Sequence, residues 1–468
     1  MTAAAASRHN KKRRGNFDRP EVDVTVRTSL YALFAVAAGA VAIAFMLGTD
    51  FIYGHVYPVL ARLGLWQVVL GSFVAIGLSS FAVGFLQSRF LPNKAPNGIP
   101  NLKVFYTTKD VRLSFRQVVV NLVAGIISLG GGASLGREGP TVFAGGAVAA
   151  ACADFLGMPA PRRRLACVAG AAAGLAAAFN TPIAAVTFAI ETITDRFNGR
   201  QMGGILLSAV IGACASWAVI GRHPSFIVPE LSSLSKTGYV LTPLVALLAA
   251  MAGVLFQRQV LKIRAMAKAN TKVSPLFKPL IGGFCVWMLG SSAYIISSSL
   301  GDPRLGVFSM GFGDLTAALA GEMPWGVALL LLVAKLAATA IACAWCCSGG
   351  IFAPTLFFGT MVGVVVAGVS QILGAQLGEH GMLLLALVGM SACFGTVVRT
   401  PLTALMIVFE MTGRYEIVPP LMIGTVVSQA YAYYFSDKIN FYDAILRQDG
   451  IVLSGSEPKN NVNQGIRQ

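Results

Sequence analysis

The chain has 468 residues; 55% belong to the hydrophobic set and 12% are charged, where an ordinary soluble domain carries about 25% charged residues. That balance argues against a water-soluble enzyme, a disordered chain and a collagen-like fibre, and leaves a multi-pass α-helical membrane protein. The formal charge of +16 reads as Lys and Arg gathered in cytoplasmic loops, not as a nucleic-acid surface, because the basic residues cluster between apolar runs.

Residues 1–28 are polar and carry seven Lys and Arg, including Lys11, Lys12, Arg13 and Arg14. No signal-peptide cleavage pattern follows, so this basic tail is expected to stay in the cytoplasm. A first apolar run covers 29–47 and a second covers 66–86. The connection 48–65 holds one Arg and no Lys, whereas 87–116 holds Arg89, Lys94, Lys103, Lys109, Arg112 and Arg116. The charge rule reads this as in, out, in. Arg162, Arg163, Arg164 and the basic stretch 258–278 are expected on the same cytoplasmic side.

Further apolar blocks run from 118–135 to 418–435, too long and unbroken for barrel strands. Several are shorter than the ~20 residues that cross a bilayer, as broken helices meeting inside a membrane would be. The membrane body is expected over 29–447, as about a dozen or more helices. A polar tail at 448–468 follows, with both termini cytoplasmic and no soluble regulatory domain appended. The eight cysteines lie in apolar or small-residue stretches, and no His or acid neighbours Cys343, Cys346 and Cys347. They read as packing residues, so no metal site and no cofactor is expected.

Two stretches repeat. Pro140, Thr141, Val142, Phe143, Ala144 and Gly145 match Pro354, Thr355, Leu356, Phe357, Phe358 and Gly359, 214 positions on. Thr181 and Pro182 with Glu191 match Thr400 and Pro401 with Glu410, 219 positions on. Matched motifs in one order at nearly one offset imply duplicated halves, about 29–221 and 238–435. Such transporter repeats are often inverted and place their site at the shared interface.

The chemistry concentrates in the first copy. Between Arg116 and Asp154 the only charged residues are Arg137 and Glu138, and an ionisable group inside a membrane segment is a functional candidate by default. They sit in the glycine-rich run Gly130, Gly131, Gly132, Ala133, Ser134, Leu135, Gly136, Arg137, Glu138, Gly139, Pro140. Glycines let backbone N–H groups face a small ligand, and Pro140 suits the first turn of a helix. Free N–H donors at a helix N-terminus make an anion site. Ser348, Gly349, Gly350, Ile351, Phe352, Ala353 and Pro354 form the equivalent run, with no ionisable side chain from 336 to 378. Pro96, Asn97, Gly98, Ile99 and Pro100 form a third candidate. A carboxylate at such a place can occupy the anion's own position; protonation would remove it, so Glu138 could gate anion movement or couple it to H⁺. The plainer alternative is an ion pair with Arg137, although adjacent side chains on a helix do not face each other.

These residues resemble the CLC chloride channel and transporter family. Gly136, Arg137, Glu138, Gly139 and Pro140 look like its GREGP motif. Gly350, Ile351, Phe352, Ala353 and Pro354 look like its GxFxP motif, and 96–100 like a variant of its GSGIP motif. The resemblance spans roughly residues 29–447. It implies inverted halves of tilted, broken helices and a homodimer with one pore per subunit, moving chloride or another small inorganic anion. It makes Glu138 the external gating glutamate. Backbone N–H groups of Ile351 and Phe352 would hold a central anion, and those of Gly136, Arg137, Glu138 and Gly139 would frame an outer one. Tyr442 resembles the pore tyrosine; its plainer reading is an interfacial aromatic, as for Tyr431, Tyr433 and Tyr434.

Two departures stand out. Asn97 and Pro96 replace the motif's Ser and Gly. Within the family serine there goes with chloride, proline with nitrate and other residues with fluoride, so Asn97 leaves anion choice open while the intact motifs favour chloride. Thr192 follows Glu191 where many exchangers carry a second acid. Threonine does not titrate near neutral pH, which leaves exchange with H⁺ and passive conduction both open. Glu191 itself recurs as Glu410 and could brace helices in both halves. Exchange is favoured, because Glu138 is present and no regulatory domain is seen; the second point also favours a bacterial inner membrane.

Two other classes compete. Gly132, Ala133, Ser134, Leu135 and Gly136 fit G-x-S-x-G, a serine-nucleophile pattern of intramembrane proteases. Its base is missing, since His9, His55, His223 and His380 fall in the tail or in connections. A cation-coupled carrier would use membrane carboxylates for Na⁺, but a helix N-terminus suits anions better. Neither HExxH nor a Walker A pattern is present, and no enzyme is expected.

Overall fold

The computed structural model describes residues 20–91, 98–108, 114–194, 199–222, 226, 228–229, 236–345, 347–378, 380–436 and 439–453. Asn97 and Pro96 therefore lie outside the described residues, as do His9, His223 and Cys346. Among the described residues the regular elements are all helices, with no strand. The first half comprises α1 (Pro20–Leu63), α2 (Leu65–Phe90), α3 (Ile99–Thr107), α4 (Phe115–Gly130), α5 (Glu138–Phe155), α6 (Ala160–Phe179), α7 (Pro182–Phe188) with a π turn at Ala189–Thr194, and α8 (Gly199–Val219). The second half comprises α9 (Lys236–Ala269), α10 (Lys278–Ser299), α11 (Phe312–Leu319), α12 (Trp325–Ala344), α13 (Phe352–Ile372), α14 (Gly381–Val398), α15 (Pro401–Thr412), α16 (Val418–Phe435) and α17 (Phe441–Gln448).

Eight of these helices are long and apolar enough to cross a membrane, while α4, α15 and α7 with its π turn are shorter apolar helices. Short helices are tolerated at membrane depth where protein surrounds them. The stretch 48–65, expected as a connection, is not one: α1 runs on to Leu63 through Pro58 and stops at Gly64, whose φ is 130°. Tyr57 is fully buried and Tyr53 and Val56 pack against the core. Tertiary packing thus keeps helical a segment whose polar residues had suggested a loop. Conversely, the apolar block 165–191 breaks in two. α6 ends at Asn180 in the left-handed conformation (φ 57°), and Pro182 opens α7.

The halves follow one plan. α6 and α14 both end on a left-handed non-glycine residue, Asn180 (φ 57°) and Arg399 (φ 58°), and proline opens the next helix in each half. α5 packs on α6 as α13 packs on α14, through facing glycines. A Cβ on Gly145 would come 2.5 Å from the Gly170 carbonyl, and one on Gly359 would collide with the Gly389 carbonyl. Close backbone approach of this kind replaces the hydrophobic drive that lipid removes. α13 and α14 are the most buried of the apolar spans, so the core lies where the second anion motif begins.

Candidate anion-binding site

The two glycine-rich leads meet. Gly136 donates its N–H to the Gly350 carbonyl and Gly350 donates to that of Gly136, each at 2.7 Å. This antiparallel bridge brings the first turns of α5 and α13 together, and each first turn carries N–H groups without helical partners. Gly136 was expected among the anion donors. Its N–H is instead engaged by Gly350, because two extended glycine leads lying side by side pair as strands do.

Glu138 is the first residue of α5 and is fully buried. Its side chain turns toward α13, where Oε1 accepts from the N–H of Phe352 and from that of Ala353 at 3.2 Å. The carboxylate thus occupies the N-terminal cradle of α13 as a bound anion would. The engaged donors lie one position later than the expected pair Ile351 and Phe352; Ile351 is the residue preceding the helix, buried at 4% exposure. Glu138 Oε2 has no hydrogen-bond partner among the described residues. Glycine is needed opposite it: a Cβ on Gly350 would lie 2.7 Å from Oε1 and from the Gly139 nitrogen. The Phe352 ring packs on Phe394 at 4.1 Å and Phe179 at 5.3 Å between centroids, and on Phe188 at 6.1 Å. These rings wall the cradle with apolar surface.

Arg137 does not pair with Glu138 among the described residues. Its guanidinium lies 3.9 Å from Asp50 of α1, with the Phe179 and Phe312 rings at 5.4 and 5.1 Å. This is the divergence of adjacent side chains. It leaves the Glu138 carboxylate to backbone donors alone.

Tyr442 is buried at 5% exposure in the first turn of α17. Asn440 caps that turn by accepting from the Tyr442 N–H at 2.9 Å. Tyr433 and Tyr434 are exposed, as an interfacial pair would be. The third motif opens α3 at Gly98, whose φ is 72°. One residue that sequence reasoning missed links these two elements. Lys103 of α3, counted there among loop cations, is buried at 1% exposure and ion-paired with Asp443 at 2.7 Å. The first turn of α17 is therefore tied to the third helix N-terminus.

Thr192 is fully buried in the π turn, and its hydroxyl has no partner among the described residues. π turns inside helices occur often at functional sites. Its neighbour Glu191 reaches the other half: its carboxylate accepts from Leu402 N–H at 3.1 Å and from Thr403 N–H and hydroxyl at 2.8 and 2.7 Å. Glu410 does the reciprocal, accepting from Ile183 N–H at 2.9 Å and Ala184 N–H at 2.7 Å. Each acid caps the opposite repeat's helix N-terminus, which is the bracing expected of the pair. Reciprocity of this kind is the mark of a two-fold relation between halves.

Ser134, the serine of the G-x-S-x-G run, is buried and hydrogen-bonded to the Thr339 hydroxyl at 3.0 Å, so that pattern finds a threonine where it needs a base. No cluster of metal-ligating side chains occurs among the described residues.

Known proteins resemble this chain in sequence and in fold. The chain is 29% identical over 424 residues to the H⁺/Cl⁻ exchange transporter ClcA of Yersinia pestis bv. Antiqua (strain Angola), spanning 89% of this chain and 86% of the relative. It is 29% identical over 434 residues to ClcA of Klebsiella pneumoniae (strain 342), covering 89% and 87%. Among solved structures, a slow cyanobacterial Cl⁻/H⁺ antiporter superposes with a TM-score of 0.78 at 24% identity, covering 90% of this chain and 98% of that one. A CLC-type fluoride/proton antiporter gives 0.72 at 20% identity, covering 91% and 99%. The family profile described as "Voltage gated chloride channel" matches residues 79–433. With paired glycine leads, a buried glutamate in the facing helix cradle and most of its length matched, the chain belongs to the voltage-gated chloride channel family.

Proposed function

We propose that this protein exchanges a small inorganic anion, chloride foremost, for H⁺ across a membrane, with Glu138 as gate and proton acceptor. The observation that carries this reading is the placement of the Glu138 carboxylate. One oxygen takes the Phe352 and Ala353 N–H groups and the other has no partner among the described residues. An anion arriving at α13 must displace that carboxylate. A neutral carboxylic acid competes less well for N–H donors than a carboxylate. Protonation therefore favours anion entry, and deprotonation closes the cradle again. Uncharged donors hold the anion without the full positive charge that would trap it.

The ClcA relatives and the cyanobacterial antiporter, named as Cl⁻/H⁺ exchangers, support this choice of ions. On the inner side, Tyr442 and the first turn of α3 supply further neutral donors. Thr192 carries no titratable group, so an H⁺ path there runs through its unpartnered hydroxyl and water. A homodimer, as the family resemblance implies, is the assembly proposed. A bacterial inner membrane with cytoplasmic termini fits the charge pattern. Purified protein in proteoliposomes, with Cl⁻, NO₃⁻, F⁻ and H⁺ fluxes recorded together, tests the reading. Chloride-driven uphill H⁺ movement is expected; chloride flux that drives no H⁺ would overturn exchange.

A further inference from the structure

Lys335 of α12 is fully buried in an apolar span. Its ammonium donates to the carbonyls of Gly306 at 2.7 Å, Ser309 at 2.9 Å and Val307 at 3.5 Å, and lies 5.0 Å from the centre of the Phe357 ring on α13. Three acceptors match the three protons of an ammonium. Among the described residues no carboxylate comes within ion-pairing distance of it. Asp314 contacts Arg304 at 3.5 Å instead. A buried cation held only by neutral groups is costly, and the anion cradle does not use it directly.

The turn that Lys335 holds is bonded in its own right to the lead of the anion site. Ser309 donates its N–H to the Gly132 carbonyl at 3.0 Å. Phe308 lies against Tyr57 at 5.2 Å, and the Tyr57 hydroxyl donates to the Gly131 carbonyl at 3.0 Å. One turn along α12, Thr339 bonds Ser134 at 3.0 Å. Ser309 also sits at φ 51°, a conformation uncommon for a non-glycine residue, and the ammonium holds its carbonyl there. Gly131, Gly132 and Ser134 are thus each fixed from outside their own segment, and Glu138 follows four residues after Ser134.

We infer that Lys335 is a positioning residue for the Glu138 gate: its ammonium holds the 306–309 turn in the form that fixes residues 131–134, and so sets where the Glu138 carboxylate meets α13. Only the transport part of its test rests on the exchange reading above. Lys335→Met, Lys335→Gln and Lys335→Arg are compared with the unaltered protein by hydrogen–deuterium exchange over 130–139, with peptides from α8 and α16 as internal controls. In the Met variant, exchange over 130–139 is expected to rise about tenfold while the controls stay unchanged. The H⁺-to-Cl⁻ ratio is expected to fall by about half, with less effect on Cl⁻ turnover. The Arg variant should retain both values, and Gln should fall between. If the Met variant is not monodisperse, the Gln variant carries the same test. Unaltered exchange over 130–139 in a folded Met or Gln variant overturns the inference, as does an equal rise in the control peptides. If the unaltered protein moves no H⁺, the exchange reading falls, and amide exchange still decides for or against Lys335.

Discussion

Three glutamates in this protein bind helix N-termini across the repeat, and they do so in two ways. Glu191 and Glu410 form a symmetric pair, each with both carboxylate oxygens accepting from backbone N–H groups of the opposite half. Glu138 stands alone: Phe352 occupies the equivalent position 214 residues on, and among the described residues only one Glu138 oxygen is engaged, at a site with no solvent exposure. Saturated carboxylates brace a structure. A buried carboxylate left half-satisfied is in a shallow well, and can exchange its place with another anion or with its own protonated form.

Substitutions test that difference. The largest effect is expected from Glu138→Gln, which keeps the shape but cannot titrate. H⁺ flux in proteoliposomes should fall at least about a hundredfold while anion flux persists; undiminished H⁺ movement would make Glu138 a third brace. Next comes Gly350→Ala, whose methyl would lie 2.7 Å from Glu138 Oε1 and the Gly139 nitrogen. Misplacing the cradle in this way should slow anion flux about a hundredfold at most; flux within twofold of the parent would mean that the leads yield easily.

Glu191→Gln and Glu410→Gln should each lower stability by about 2 kcal/mol, read from unfolding in detergent, and should leave the H⁺-to-anion ratio alone. A ratio that shifts in one of them only would break the symmetry of the pair. The smallest effect is assigned to Asn97→Ser, expected to favour chloride over nitrate or fluoride by about 1 kcal/mol; an unchanged selectivity sequence would remove Asn97 from anion choice.

The membrane class, the duplicated plan and the two glycine-rich leads were legible in the sequence, because each rests on a local pattern: apolar runs, a fixed offset, or glycine ahead of proline. The position of Glu138 at a helix start was legible for the same reason. What escaped was information carried by backbone partners. Lys335 is a single cation in an apolar helix, and the carbonyls that hold it have no side-chain signature. Lys103 looked like a loop cation until Asp443, 340 residues away in the chain, closed on it. The 48–65 stretch misled because hydropathy falls there while Tyr57 still packs inward. Glu191 and Glu410 were recognised as a repeated pair, but nothing local says that each reaches the other's half.

The bridge between Gly136 and Gly350 has a consequence for how the transport cycle moves. Its two short hydrogen bonds stitch the halves at mid-structure, so rocking one half against the other, as in many carriers built from repeats, would have to tear this seam on every turnover. On the exchange reading proposed above, motion would then fall to the Glu138 side chain and to the surrounding shell. Spin labels on the outer ends of α5 and α13 should keep one separation from the resting protein to the anion-loaded one.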